Sequence, residues 1–341
     1  MKPRNQAYPI DIIITWVDGN DPKWLMEKMQ YAPSTTSDDR ASRYRDWETL
    51  VYLFRGIEQF APWVNHVYLV TWGHTPKWLN NAHAKLKIIN HSDYIPSKYL
   101  PTFNSHTIEL NFHRIQELSE HFVYFNDDTF LIKPTKVEDF FNKGKPCDSA
   151  ILTAISHKED SFYCFSKHRA AGIMNKYFDS QKVIRSNLWG WYNYKYGKMI
   201  LRSWMLSGFP RFTGIWQHHL PSSLCKSTMI ELWKKEPEKL EQTCAHKFRE
   251  MLDFNQWLFK CWQLATGNFY PRSVNFGKSF ILDNQDIFSD ALSYIKKQNG
   301  KVICINDPND YVMSDEAFGE AKIRLIQSLD SILPNQSAYE M

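Results

Sequence analysis

The chain has 341 residues, 43% of them hydrophobic, with 41 basic against 37 acidic side chains and a formal charge of +4. That length suits one large composite domain or two smaller ones, and the interspersed signs exclude a polybasic tail of the kind that grips nucleic acid. Six cysteines, at 147, 164, 225, 244, 261 and 304, form no C-x-x-C pair, which excludes a cysteine zinc site and a dense disulfide framework and leaves reduced, mostly buried thiols.

Pro9 to Val17 is a near-continuous apolar, β-branched run that predicts a strand. The turn cluster Asp18-Gly19-Asn20-Asp21-Pro22 closes it, and a short helix opens at Trp24-Leu25-Met26. Pro33 to Ser42 is polar and aperiodic and predicts a loop. Trp47, Leu50, Val51, Phe54 and Ile57 then recur at helical spacing and predict a helix from Asp46. His66 to Trp72, Leu86 to Ile89 and Phe122 to Phe125 predict three more strands, and Lys301 to Ile305 repeats the pattern near the far end. Between them, Ile151 to Gly214 holds helical fragments and the aromatic cluster Leu188-Trp189-Gly190-Trp191-Tyr192-Asn193-Tyr194-Lys195-Tyr196. Ser227 to Gly267 reads as helical with a break at Pro237, and a final helix spans about Ser314 to Leu329.

Short strands alternating with helices predict an α/β fold: a largely parallel, Rossmann-like sheet flanked by helices, with a helical, aromatic covering subdomain. The residues that end the strand runs are Asp18, Gly73-His74, Asn90-His91, Asn126-Asp127-Asp128 and Asn306-Asp307. Ligands of open α/β sheets sit beyond the carboxyl ends of the strands, so these remote residues are expected to share one pocket.

Asn126-Asp127-Asp128 is the most informative of the five. Neighbouring carboxylates at the edge of a core repel one another, and a divalent cation relieves that repulsion. Oxygen ligands point to Mg²⁺ or Mn²⁺ holding a diphosphate, while a turn or cap at a strand end accounts for the same tripeptide. Gln217-His218-His219-Leu220-Pro221 supplies a candidate proton acceptor, with a structural histidine as the bland alternative. Zincin spacing is absent, which disfavours metalloprotease chemistry. Arg249, in His246-Lys247-Phe248-Arg249, offers a guanidinium for phosphate. Aromatic residues make up 15%, with 13 Trp and 17 Tyr, a composition that suits stacking on sugars or bases.

Four separated blocks together resemble the Stealth family of sugar-phosphate transferases. They are Asp11 through Pro22, then Arg43-Tyr44-Arg45-Asp46 onward through Asn126-Asp127-Asp128 to Phe141, then His218 to Arg249 with Asn255 to Arg272, and finally Lys301 to Asp307. The resemblance covers about two thirds of the chain, in the expected order. It implies transfer of a hexose-1-phosphate from a nucleotide diphosphate sugar, with a UDP-hexosamine favoured, to a hydroxyl of an oligosaccharide or polysaccharide acceptor. The product is a phosphodiester and the leaving group a nucleoside monophosphate, as in capsule polysaccharide synthesis. The corresponding organisation is an α/β nucleotide-sugar and metal-binding part over 1–150, a covering insertion on the acceptor side over 151–214, and a second catalytic part over 215–341 completing the same domain.

In-line phosphoryl chemistry needs charge neutralisation, fixed geometry and a base. Asp127, Asp128 and Asp307 are the expected metal ligands, with Mg²⁺ or Mn²⁺ as cofactor. His218 is favoured over His219 as the base, and Arg249 and Arg45 hold phosphate. Trp16, Asp18 and Gly19 are expected in the nucleotide pocket with Asn126, although Trp16 as a core aromatic reads equally well. Asn104, Glu109 and Arg114, on a helix starting near Asn104, complete the substrate-binding set, with capping and surface pairing as the alternatives. A metal-dependent glycosyltransferase using the same donor and a carbohydrate-binding scaffold are the competing readings. The first residues lack an apolar signal region and no apolar run reaches the roughly 18 to 20 residues that span a bilayer. The expected location is therefore the cytoplasm, at the inner membrane face through the export machinery if acceptors grow there.

Overall fold

Ile10–Thr15 (β1) reads Ile-Asp-Ile-Ile-Ile-Thr, and a run of that kind is stable only where both faces of the sheet are covered. The computed structural model, which describes residues 8–31, 46–156, 162–282, 284–306 and 314–341, places it at the centre of a five-stranded sheet. Val67–Thr71 (β2), Leu86–Asn90 (β3) and His121–Asn126 (β4) run parallel to it in the order β3-β2-β1-β4. The α/β class with a largely parallel sheet is therefore what the alternating pattern led one to expect. Asp11 interrupts the apolar run yet is fully buried, because its carboxylate accepts from Asn65 Nδ2 at 2.9 Å, His66 N at 3.1 Å and Ser119 N at 2.8 Å.

From β1 the chain steps to β2 and β3 on one side and returns to β4 on the other, so the order reverses between β1 and β4. The carboxyl ends of these two strands lie side by side there, with Thr15 in register with Asn126. Such a reversal opens a crevice in which open α/β sheets bind ligands.

Two residues, Asp127 and Asp128, join β4 to Thr129–Leu131 (β5), which belongs to a different sheet. Phe141–Asn142 (β6), Lys145–Asp148 (β7) and Tyr270–Pro271 (β9) form a small third sheet, and Ser222–Cys225 (β8) extends the main one antiparallel to β4. Gly277–Ile281 (β10) and Val302–Asn306 (β11) complete the sheet of β5, in the order β10-β11-β5. The run near the far end is thus a strand of this second sheet and not a further member of the main one. Ile305 N donates to Asp128 O at 2.9 Å, which fastens the end of β11 to the link after β4.

The helix expected from Asp46 begins at Leu50 and runs to Phe60. Asp46 Oδ1 accepts from Glu48 N at 2.7 Å and Glu48 has φ 56°, so the chain turns sharply before the first helical residue. Leu53, Phe54 and Ile57 face the core, each burial worth about 1.5–3 kcal/mol. Gly56 lets this helix approach β5, since a Cβ there would lie 2.9 Å from the Leu131 carbonyl oxygen.

Leu152 and Ile215 form an antiparallel bridge, flanked by Thr153 N to Gly214 O at 3.0 Å and Trp216 N to Ile151 O at 2.8 Å. This closes the base of the helical region that includes Phe162–Tyr177, Ser180–Ser186, Leu188–Trp191 and Met199–Leu206. Within its aromatic cluster, Trp191 and Tyr196 are core, whereas Trp189 and Tyr194 are exposed. Among the described residues no helix is long and apolar enough to cross a membrane. None of the six cysteines is in a disulfide, and five of them are buried.

Candidate active site

A cavity of ≈ 860 Å³ occupies the crevice at the sheet reversal. The end of β1 contributes Thr15 and Trp16, the β4–β5 link Asp127 and Asp128, and the end of β11 Asn306. Three further segments converge on it: the helix Ser105–Leu110 with Glu109, the segment before β8 with His218 and His219, and the loop carrying Arg249.

The link concentrates negative charge. Asp127 opens onto the cavity, yet protein crowds it, and this crowding, then the charges of Asp128 and Asp46, push its carboxyl up to about 7. A carboxylate crowded by protein and flanked by two others would be relieved by a nearby cation. Asp128, His219 and Cys304 have ligand atoms within 4.8 Å of one another. Burial, then the charge of Asp128, holds the Cys304 thiol well above its ordinary value, and the thiol donates to Asp128 Oδ1 at 3.5 Å. The Asp128 carboxylate and the His219 imidazole of this group are donors that suit a divalent cation such as Mn²⁺ or Mg²⁺. Asn126 Nδ2 stands 2.6 Å from His219 Nε2 and fixes the ring.

His218 lies in a different setting from its neighbour. Its Nε2 is 3.3 Å from Asp148 Oδ1, and its Nδ1 has no hydrogen-bond partner. Asp148 also faces Lys260 Nζ at 3.5 Å and Arg272 at 3.9 Å, all of them buried. Burial alone would raise the Asp148 carboxyl, but Lys260, then His218 and Arg272, outweigh it and hold it far below the usual range. Burial, then Lys260, pushes His218 down to about 4, so it is neutral at neutral pH.

Arg249 Nε donates to Ser105 Oγ at 3.0 Å at the start of the Ser105–Leu110 helix. Asp253 anchors this corner: it accepts from Asn104 Nδ2 at 2.8 Å and pairs with His246 Nδ1 at 2.6 Å and His106 Nδ1 at 3.8 Å. Burial opposes its charge, but His106, then His246, outweigh it and lower the carboxyl to about 2. Glu109 accepts from Tyr124 Oη at 3.3 Å and Gln256 N at 3.1 Å, which aims it at the cavity.

Of the residues singled out in the sequence, Trp16, Glu109, Asn126, Asp127, Asp128, His218, His219 and Arg249 meet at this cavity. Arg45, Asp307 and the Pro33 to Ser42 loop lie outside the described residues. Asp18 and Gly19 do not line the wall: Asp18 Oδ1 accepts from Asn20 N at 2.9 Å and the pair forms the turn before the first helix. Asn104 is fully buried, as N-cap and tether to Asp253, and does not reach the cavity. The helix carrying Glu109 ends at Leu110, and Arg114 sits beyond it in a 3₁₀ turn, bound to Asn111 Oδ1 at 2.9 Å and stacked over Trp233. Asp46 and the Asp148–Lys260–Arg272 group escaped sequence reading, because each acts through partners distant in the chain. An aspartate closing a short apolar segment, as in Pro146-Cys147-Asp148, was the available signal for the second.

Three family sequence models match the chain: Stealth protein CR1, conserved region 1, over residues 8–35; CR2, conserved region 2, over 43–148; and CR3, conserved region 3, over 218–258. The chain belongs to the Stealth family. These Stealth regions contain Trp16, Glu109, Asp127, Asp128, His218, His219 and Arg249. The capsular polysaccharide phosphotransferase WcwK of Streptococcus pneumoniae is 37% identical over 97% of this chain and 98% of that protein. The receptor polysaccharide phosphotransferase WefC of Streptococcus oralis is 37% identical over 97% and 99%, and the exopolysaccharide phosphotransferase cps2G of Lactiplantibacillus plantarum 38% identical over 98% and 96%. Such end-to-end similarity makes this Stealth chain a transferase enzyme. Among solved structures, the galactosyltransferase LgtC in complex with donor and acceptor sugar analogs aligns at 11% identity and TM-score 0.38, over 94% of this chain and 96% of that one. At that distance no residue roles transfer.

Proposed function

We propose that the protein transfers a hexose-1-phosphate from a nucleotide diphosphate sugar to a hydroxyl of a glycan acceptor, in the synthesis of a surface polysaccharide. The observation that carries this reading is the convergence of the Asp127-Asp128 link, His218, His219 and Arg249 on one cavity. The names of the full-length relatives support it.

The acceptor oxygen attacks the phosphorus next to the sugar, forming one P–O bond while the P–O bond to the nucleoside monophosphate breaks. Asp127 and Asp128, with His219 beside Asp128, would hold a divalent Mg²⁺ or Mn²⁺, which would supply charge neutralisation for the diphosphate. Arg249, braced by Ser105, pairs with the phosphate oxygens of the donor. Trp16, which lines the cavity at the end of β1, covers the nucleotide in this reading. His218 takes the acceptor's proton at Nδ1, the ring atom without a partner, while Nε2 is turned to Asp148. Asp148 thus orients the ring and faces the imidazolium once the proton has arrived.

The deciding experiment incubates the protein with nucleotide diphosphate sugars and a capsule-type oligosaccharide, then analyses both products by mass and ³¹P NMR. Nucleoside monophosphate together with a phosphodiester is expected. Release of nucleoside diphosphate with an unphosphorylated glycosidic product would replace this reading with glycosyl transfer.

A further inference from the structure

Outside the cavity, one part of the surface departs from the rest of the molecule in both charge and polarity. From Ser180 to Ile230 the sequence carries no aspartate or glutamate, in a chain with 37 of them among 341 residues. The helical part of that stretch carries Lys182, Arg185, Lys195, Lys198, Arg202 and Arg211. The same part exposes large apolar side chains. In the helix Met199–Leu206, Leu201, Trp204 and Met205 are 61%, 64% and 58% exposed, and their spacing puts them on one face. The opposite side of that helix is tied down: the Leu152 amide donates to Ser203 Oγ at 3.0 Å, and Arg202 Nε donates to Leu152 O at 3.1 Å. The outward apolar face is therefore held rigidly.

Trp204 and Met205 share the wall of a groove of ≈ 580 Å³ with Leu188 and Arg185 from the preceding helices, so the apolar and basic groups adjoin. Leu188 is 55% exposed, and Phe209, just after the helix, 54%. A patch of this kind is abnormal on a surface that meets only water. Its chemistry selects among partners. Sugar-binding surfaces hydrogen-bond ring hydroxyls through carboxylates and amides, and here aliphatic Leu and Met stand among cations with no carboxylate in the stretch. Aliphatic and indole side chains interleaved with Lys and Arg match the acyl boundary and anionic headgroups of a lipid leaflet.

We propose that the Leu188–Phe209 face docks on the surface of an anionic lipid membrane, with Leu201, Trp204 and Met205 entering the headgroup boundary and Arg185 and Lys198 pairing with lipid phosphates. The proposal does not rest on the transfer reaction. Leu152, which holds the docking helix, pairs with Ile215, and Trp216 to His219 follow directly along the cavity wall, so docking also fixes how the cavity is presented to the leaflet.

The test is co-sedimentation of the full chain with phosphatidylcholine vesicles prepared with and without phosphatidylglycerol. Binding to the anionic vesicles at least about tenfold stronger than to neutral ones, and weakening with salt, is expected. Leu201→Ser/Trp204→Ser should abolish it. Arg185→Glu/Lys198→Glu, which leaves the apolar face untouched, should lower it about tenfold or more, while both variants keep the parent's thermal transition. No binding to anionic vesicles, or equal binding to both kinds, overturns the proposal. It is overturned equally by a concentration-dependent dimer that Leu201→Ser/Trp204→Ser disperses, or by vesicle binding that a capsule-type oligosaccharide displaces.

Discussion

Asp127 and Asp148 are carboxylates with opposite surroundings. Asp127, crowded by protein and standing among other carboxylates, is pushed up to about 7, whereas Asp148, equally crowded, stands among Lys260, His218 and Arg272 and is held far below the usual range. The chain balances the second charge with its own cations and leaves the first unbalanced. Charge that is compensated internally holds groups in place, as Asp148 holds His218; charge left over is available to a ligand. The adjacent histidines divide along the same line, His218 on the balanced side and His219 on the unbalanced one.

Substitution separates the two regions. Asp127→Asn and Asp128→Asn should each lower kcat/KM by about 10³-fold or more while leaving the thermal transition at or above that of the parent, because repulsion is relieved. Chelation by EDTA should reproduce the loss and Mn²⁺ should reverse it, followed by donor binding as well as by turnover. Asp148→Ala should instead cost about 3–5 kcal/mol in denaturant unfolding, because two buried cations lose their counter-charge. Equal stability losses at Asp127 and Asp148 would erase the distinction. Arg249→Lys keeps the charge but loses the planar fork, and a fall of about 10²-fold in kcat/KM with little change in stability is expected.

The smallest effect sharpens the comparison at Asp253, another internally balanced carboxylate. Its folded value of about 2 lies below the ordinary carboxylate value of 3.8, so its stabilisation is complete above about pH 4 and is lost as pH falls toward 2. That pH-dependent part is about 2 kcal/mol. The stability difference between parent and Asp253→Asn should therefore be flat from pH 5 to 4 and narrow below it; an unchanging difference down to pH 2 would show that Asp253 is not held as its partners imply.

Much of this arrangement was legible in the order of residues. Largely β-branched runs such as Ile10–Thr15 mark doubly covered strands, and the polar residues that end them mark the edge where a ligand sits. The acidic pair, the two histidines and Arg249 stood out because each breaks a local pattern. What was not legible depends on pairing across the chain. Nothing in Val302–Asn306 says that it pairs with Thr129–Leu131 in place of the main sheet, since both settings require the same apolar run. Asn104 and Arg114 have the residue types of a binding site, but Asp253 and Trp233 claim them, and those partners are more than a hundred residues away. The helix near Asp46 fails at its start for a local reason, the left-handed turn at Glu48, which hydrophobic spacing does not register.

The two aspartates of the β4–β5 link are also the whole length of chain between the main sheet and the second one. With only two residues there is no slack, so the separation of the two sheets and the reach of the acidic pair are one and the same dimension. Lengthening this connection by a single glycine would move both carboxylates off the crevice while sparing every strand. Shape and chemistry are gauged here by one ruler, and a chain free to vary its loops elsewhere has no freedom to vary this one.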